Sequence, residues 1–187
     1  MTDDSLERLY TDLRALQDTS ENALPPVGQW HPDLSGDIDI RIARDGTWYH
    51  EGSPIKRLSL VNLFSSILRK EDDQFYLVTP VEKWRIVVED APLHVIALEV
   101  QRREGHQALL FSTATDDRVV ASAANPLHVT TDPQSGEPSP YLVVRDGLEA
   151  LLSRPVFYEL ADLAETRSAG ASTVYGVVSM GEFFPLS

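Results

Sequence analysis

The 187-residue chain has no cysteine, so it forms no disulfide, offers no thiolate nucleophile and gives no reason to expect an oxidising compartment. It is short of positive charge. Asp and Glu number 29 against 16 Lys and Arg, which gives a formal net charge of -13. A surface this acidic repels nucleic-acid polymers and anionic membranes, although a local basic pocket stays possible. No apolar run approaches the length of a membrane span, and the start, "MTDDSLERLYTDLRALQ", lacks the apolar segment of a secretory signal. Phosphate loops of the Gly-x-x-x-x-Gly-Lys and Gly-x-Gly-x-x-Gly kinds are absent, which argues against an NTPase. These features predict a cytoplasmic globular protein with no cofactor.

What is present is patterned. Leu6, Leu9, Tyr10, Leu13 and Leu16 repeat at helical spacing behind Asp3, Asp4 and Ser5, which suit a helix start. Residues 18–36, rich in Pro and Gly, read as a loop. In "DIDIRIARDGTWYHE" Ile38, Ile40 and Ile42 alternate with Asp37, Asp39 and Arg41, and Asp45-Gly46 suits a two-residue hairpin turn. That turn sets Arg41 opposite His50. It puts Tyr49 on the isoleucine face and Trp48 and His50 on the polar face. "LSLVNLFSSILRK" predicts a helix with Leu60, Val61, Phe64, Ile67 and Leu68 on its apolar side, ended by "KEDDQ".

From Phe75 on, "FYLVTPVEKWRIVVED" has strand-like runs on both sides of Pro80; from Trp84 onward "WRIVVED", "HVIALEVQ", "ALLFSTA", "RVVASA" and "LHVTT" read as strands, and "DPQSGEPSP" as a flexible connection. "YLVVRDGLEALLSRPVFYELADLAE" reads as strand, helix, helix. Asp146 and Glu149 would form a capping box and Pro155 would open the second helix, with Val156, Leu160 and Leu163 buried. "TVYGVVSMGEFFPL" closes with a strand pair around Gly181. The expected fold is α+β in two halves. Residues 1–79 hold the N-terminal helix and an α+β half, and residues 80–187 a strand-rich half with two helices. A faint echo joins the halves: Ser53-Pro54 leads to Arg57, Leu60 and Leu63, and Ser139-Pro140 to Arg145, Leu148 and Leu151.

The strings "DGTWYHEGSPI", "LVNLFSSILRK", "YLVTPVEKW" and "VVRDGLEALLSRPVFYEL" resemble an uncharacterised bacterial family, domain of unknown function 1285. The resemblance covers nearly everything after the first helix. It implies two α+β halves with a repeated core motif, the second superficially like a pleckstrin-homology barrel. It also implies a nucleotide-like ligand between the halves and a role in signalling, with no enzymatic activity established.

His50-Glu51 sits in a strand with Pro54 where a zincin helix would need its second His, and the other histidines are scattered, so no metal site is expected. The bland reading of this pair is a hairpin hydrogen bond for His50 and a turn fixed by Glu51 at Gly52. Arg57 and Arg145 each stand beside an expected helix N-terminus, where free backbone N-H groups bind anions, although either could simply pair with a carboxylate. Glu82, Lys83 and Trp84 follow Thr79-Pro80 at the expected joint. Trp84 could stack on a base, but a Trp at a joint is more often packing. Ser65-Ser66 lacks a nucleophile motif.

The expected function is a binding module for a small anionic ligand, nucleotide-like, held by Arg41, His50, Glu51, Arg57, Glu82, Lys83 and Arg145. No catalytic residue is assigned, and the protein partner is undefined. Two rivals stand beside it. One is a hydrolase or transferase with His50 as base and Glu51 or Glu82 as its orienting carboxylate, and the other a ligand-free adaptor using the strand-rich half.

Overall fold

The computed structural model describes residues 3–17 and 24–187 and falls into two compact units, Met1–Glu89 and Asp90–Ser187. The first unit runs α1 (Asp3–Gln17), a short 3-10 turn (Val27–Gln29), β1 (Leu34–Ile42), β2 (Trp48–His50), β3 (Ser53–Pro54), α2 (Leu58–Ser66), β4 (Leu68–Glu71), β5 (Gln74–Val78) and β6 (Lys83–Val88). Its sheet has the order β3-β2-β1-β6-β5-β4. Neighbours are antiparallel except for β1 and β6, which run parallel and set Gly36 opposite Trp84 and Asp37 opposite Arg85. This seam carries the first unit through β6, where the sequence drew the boundary at residues 79/80. The helical spacing at the start is realised in α1, with Leu9 and Leu13 buried. The side chains expected to cap it, Asp3 to Ser5, and that of Leu16 lie outside the described residues.

The first hairpin differs from expectation by one residue. Ile42 stands opposite Trp48, Arg41 opposite Tyr49 and Ile40 opposite His50. The connection has three residues, Arg44 to Gly46: Ala43 N-H donates to Thr47 O at 2.9 Å and Gly46 N-H to Ala43 O at 2.9 Å. Gly46 sits at φ 89°, as the third residue of such a loop does. A one-residue slip moves every side chain of a strand to the other face. Trp48 therefore joins Ile40 and Ile42 in the core and stacks on Phe64 of α2, ring centroids 6.3 Å apart. His50 falls on the isoleucine side. Arg41 lies over the Tyr49 ring, 4.3 Å from its centroid, on the polar side.

Three other segments also depart from the reading. α2 stops at Ser66, and Leu68–Glu71 is a strand that turns back at Asp72 and Asp73 onto β5. Antiparallel pairing of Leu68–Glu71 with residues 74–77 wins over the helical spacing of Ile67 and Leu68. The "DPQSGEPSP" stretch is a hairpin loop rather than a flexible connection. Asp132 Oδ1 accepts the N-H groups of Gln134 and Ser135 at 2.8 and 2.7 Å. Residues 146–152 form no helix: Asp146 and Gly147 take φ 47° and 74°, a two-residue hairpin turn, and the next strand buries Leu148, Ala150 and Leu152 in alternation. The expected capping box is therefore absent, and the second unit contains one helix, not two.

That unit runs β7 (Leu93–Arg103), β8 (His106–Thr113), β9 (Arg118–Val120), β10 (Leu127–Thr131), β11 (Pro138–Arg145), β12 (Leu148–Leu152), α3 (Arg154–Asp162), β13 (Glu165–Ala169), β14 (Ser172–Ser179) and β15 (Glu182–Pro185). Pro155 lies in the first turn of α3; Val156 and Leu160 are buried, while Leu163 is exposed. β13 to β15 form a separate three-stranded sheet, closed by the expected turn at Gly181. The fully buried Ser179 anchors it to the main sheet: its hydroxyl accepts from Leu109 N-H at 3.0 Å and donates to Ala121 O at 2.7 Å.

The main sheet has the order β10-β11-β12-β7-β8-β9, with β12 and β7 parallel and all other neighbours antiparallel. Counted from the first strand of each unit, the two six-stranded sheets have one and the same order, two antiparallel meanders joined at a parallel seam. The Arg-Leu-Leu echo does not follow this correspondence. Its first copy leads into a helix, and its second into a hairpin.

The register predicts how two adjacent aromatics respond to truncation. Trp48→Ala empties a core site and lowers stability by about 3–5 kcal/mol. Tyr49→Ala removes a half-buried ring and a cation–π contact and costs roughly 1–2 kcal/mol. Urea denaturation of the two variants checks the order, which the two-residue turn would have reversed.

Candidate functional site

The polar face of the first unit follows from the alternation in β1. Asp37 and Arg85 form a two-pronged pair across the parallel seam, Nε to Oδ1 at 2.7 Å and Nη2 to Oδ2 at 3.0 Å. The hydrogen bond from Arg85 holds the Asp37 carboxyl below its ordinary range, and the same bond raises Arg85. Arg41 pairs with Glu89, whose other oxygen accepts Arg44 N-H at 3.0 Å. That backbone hydrogen bond is the main cause of a lowered Glu89 pKa.

Further along the face, Glu71 is shared between Lys83 Nζ at 2.6 Å and Arg69 Nε at 3.0 Å. The Arg69 fork also donates to Trp30 O at 2.6 and 3.0 Å, which ties the segment after the 3-10 turn to the sheet. Lys83 sits 4.6 Å from the Tyr76 ring centroid. The hydrogen bond from Lys83 is the first cause of a depressed Glu71 pKa.

Several residues expected to bind an anion are thus held by carboxylates. Arg41 is occupied by Glu89, and Lys83 by Glu71. Arg145 stands before a hairpin turn and not a helix, so the anion-site argument from free helical N-H groups does not apply to it. Its Nε meets Asp117 Oδ1 at 3.0 Å, with the two side chains 15% and 8% exposed. Asp117 Oδ2 also accepts from the Thr113 hydroxyl at 3.1 Å. Arg57 does occupy the position before α2, and its carbonyl accepts the N-H groups of Leu60 and Val61. Its exposed guanidinium lies 5.3 Å from the Tyr10 ring centroid. His50 is half-buried on the isoleucine face, and no carboxylate among the described residues bonds to it. Glu51 is exposed at φ 48° beside Gly52, with its N-H on Asp39 O at 3.1 Å, the turn-fixing role of the bland reading.

Glu82 and Trp84 are different. The buried Thr79 hydroxyl builds the turn that presents them, accepting the N-H of Glu82 at 3.0 Å, and Thr79 N-H donates to Glu82 O at 2.8 Å. Glu82 is the last residue of this turn and Trp84 the second residue of β6. The Trp84 ring packs 3.5 Å from where a Cβ would stand on Gly36. Glu82 Oε2 and Trp84 Nε1 are both buried, and neither has a hydrogen-bond partner among the described residues. One is an acceptor and the other a donor.

Sequence reasoning also missed a pair in the second unit. His128 Nε2 and Glu149 Oε1 are 2.6 Å apart on β10 and β12, and the His128 ring stacks on Tyr141 of the intervening strand at 5.3 Å. The two residues are 21 positions apart, and only the strand order brings them together. Among the described residues no group of three or more His, Cys, Asp or Glu side chains is placed to hold a metal ion. No helix among them is long and apolar enough to cross a membrane.

Comparison with known proteins gives a consistent result. Residues 25–91 match the family model "Domain of unknown function (DUF1285), N-terminal domain", and residues 92–186 match its C-terminal counterpart. A crystal structure of a DUF1285 family protein from Silicibacter pomeroyi DSS-3 is 48% identical, covers 93% of each chain and superposes with a TM-score of 0.82. Another, from Shewanella baltica OS155, is 30% identical, covers 66% of this chain and 90% of its own, and has a TM-score of 0.52. No curated protein matches the chain.

Two predictions follow from the ion pairs. Arg145→Ala leaves Asp117 buried without its cation and costs roughly 3 kcal/mol, whereas Arg57→Ala at the surface costs under about 1 kcal/mol. Thermal melts of both variants measure the difference. Glu71 has a depressed pKa, so its contribution to stability is complete above its ordinary value of 4.5 and is lost as pH falls through the lower folded value. Lys83→Met removes the main cause. Urea midpoints measured from pH 5 down to pH 3 will fall less steeply in this variant than in the parent.

Proposed function

The chain belongs to the DUF1285 family, and we propose that it is a non-catalytic binding module whose first unit reads a small nucleobase-like ligand with Glu82 and Trp84. The observation that carries this reading is the pair of buried, unpartnered atoms, Glu82 Oε2 and Trp84 Nε1. Leaving such a group unsatisfied costs about 1–3 kcal/mol, and more when it is charged. A ligand that supplies the missing bond to each of these two groups would offset that cost. The complementary ligand carries an N-H or O-H for the carboxylate and a neighbouring acceptor for the indole N-H. That is the donor–acceptor edge of a nucleobase, and it agrees with the nucleotide-like ligand and signalling role that the family resemblance implies. An anionic part of such a ligand would point away from Glu82, whose negative charge repels it.

Binding is favoured over hydrolysis or group transfer because His50, on the isoleucine side of the hairpin, is bonded to no carboxylate among the described residues. In this reading the protein is cytoplasmic and its ligand occupancy is read by a protein partner. The common strand order of the two sheets is what duplication of one unit would leave behind. The pleckstrin-homology likeness of the second unit rests on its being strand-rich with one helix.

Isothermal titration with nucleosides and nucleotides tests the reading. A bound ligand raises the melting temperature by mass action. Trp84→Phe keeps the ring and deletes the donor; it weakens binding about tenfold, the loss of one hydrogen bond. The ligand-free variant loses the unsatisfied donor together with part of the packed indole, two opposing effects that keep its stability within about 1–2 kcal/mol of the parent. A larger loss of stability in Trp84→Phe with no binding of any nucleobase to the parent would sink the reading.

A further inference from the structure

The second unit carries an open surface cavity of about 630 Å³ that the function proposed above leaves unused. Gln101, Arg103 and Arg118 stand on its wall, and Leu110, Val120 and Met180 are among its apolar lining residues. The register explains the grouping. Residues 99, 101 and 103 share one face of β7; Leu110 lies opposite Glu99 on β8, and Val120 lies opposite Leu110 on β9.

The polar wall is a connected chain of hydrogen bonds. Arg103 Nε and Nη2 donate to Gln101 Oε1 at 3.2 and 3.1 Å. Gln101 Nε2 donates to Glu99 Oε1 at 2.7 Å, and Arg118 Nη2 to Glu99 Oε2 at 3.2 Å. The network holds two guanidinium groups and one carboxylate, and only Arg118 bonds that carboxylate, which leaves one positive charge in surplus within a chain of net charge -13. Arg103 is bonded to a neutral amide alone. The Arg118–Glu99 pair has side chains 61% and 59% exposed, and such pairs contribute at most about 1 kcal/mol, so Arg118 is readily drawn to a better acceptor.

We propose that this cavity binds a small aliphatic molecule ending in an oxyanion, a carboxylate or a phosphate monoester. The guanidinium forks of Arg103 and Arg118 match the planar edge of such a head. Leu110, Val120 and the adaptable side chain of Met180 receive an apolar tail. A volume of about 630 Å³ lies in the range of small-molecule sites. No aromatic residue is among those lining the cavity, so a nucleobase would find no ring to stack on. The ligand class therefore differs from that proposed for Glu82 and Trp84, and the two sites stand or fall separately.

Titration calorimetry of the full chain against octanoate, octyl phosphate, octanol and acetate, each below any micelle concentration, tests the proposal. Saturable binding of octanoate, of octyl phosphate or of both is expected, and the pattern tells which head is taken. Octanol and acetate bind at least tenfold more weakly. Arg103→Gln weakens octyl-anion binding at least tenfold with the ligand-free melting temperature unchanged. Val120→Trp, which crowds the cavity from a lining position and keeps both arginines, abolishes it. Octanol binding as tightly as octanoate would refute the role of the head, and acetate binding as tightly would refute the role of the tail. No saturable binding of either octyl anion, or binding that survives both substitutions, overturns the site.

Discussion

Each unit depends on one parallel seam. β1 must find β6, and β7 must find β12, before either six-stranded sheet exists, because every other neighbouring pair lies within an antiparallel meander. Asp37 and Arg85, the charged pair across the first seam, are 48 residues apart in the chain. Closing so long a loop costs entropy that only the completed sheet offsets. The seam also explains why the first unit ends at Glu89: a break before β6 would divide the sheet in two. It positions the candidate site as well, because Gly36 on β1 leaves room for the Trp84 ring on β6.

The strands were legible where alternation is strong, as in β1, or where a short apolar run is flanked by turn residues, as in β7, β8 and the closing pair around Gly181. Legibility failed at two Asp-Gly turns, in opposite senses. Asp45-Gly46 belongs to a three-residue loop, and that single extra residue exchanged Trp48 and Tyr49 between core and surface. Asp146-Gly147 is the true two-residue turn, yet the leucines after it sit at spacings that also suit a helix. Leu148, Ala150 and Leu152 satisfy a period of two, and strand pairing on both sides decides in its favour. Local pattern carries no information about such pairing, so the sequence could not separate the alternatives.

Function was less legible for the same reason. Arg41, Lys83 and Arg145 stood out as cations in an acidic chain, but the fold brings them carboxylates distant in sequence: Glu89 after β6, Glu71 on β4 and Asp117 in the β8–β9 turn. Arg103 and Arg118 did not stand out, because the grouping of their strands around a cavity appears only in the fold. Glu82 was recognised as a candidate through its motif. What distinguishes it is an absence of partners that no motif reports. The acidic chain thus uses much of its positive charge to neutralise its own carboxylates. The proposed site rests instead on polar groups that the fold buries and leaves unmatched among the described residues.

The indole N-H resonance of Trp84 gives the most direct test of that site. The chain has three tryptophans, and Trp84→Phe assigns the resonance by its disappearance. Titrated with a nucleobase ligand in an amide-correlation spectrum, the Trp84 indole signal is predicted to move downfield and saturate, as it gains an acceptor, while those of Trp30 and Trp48 stay in place. A Trp84 signal that stays fixed while a nucleobase binds, or through a full panel of nucleobases, would contradict the account.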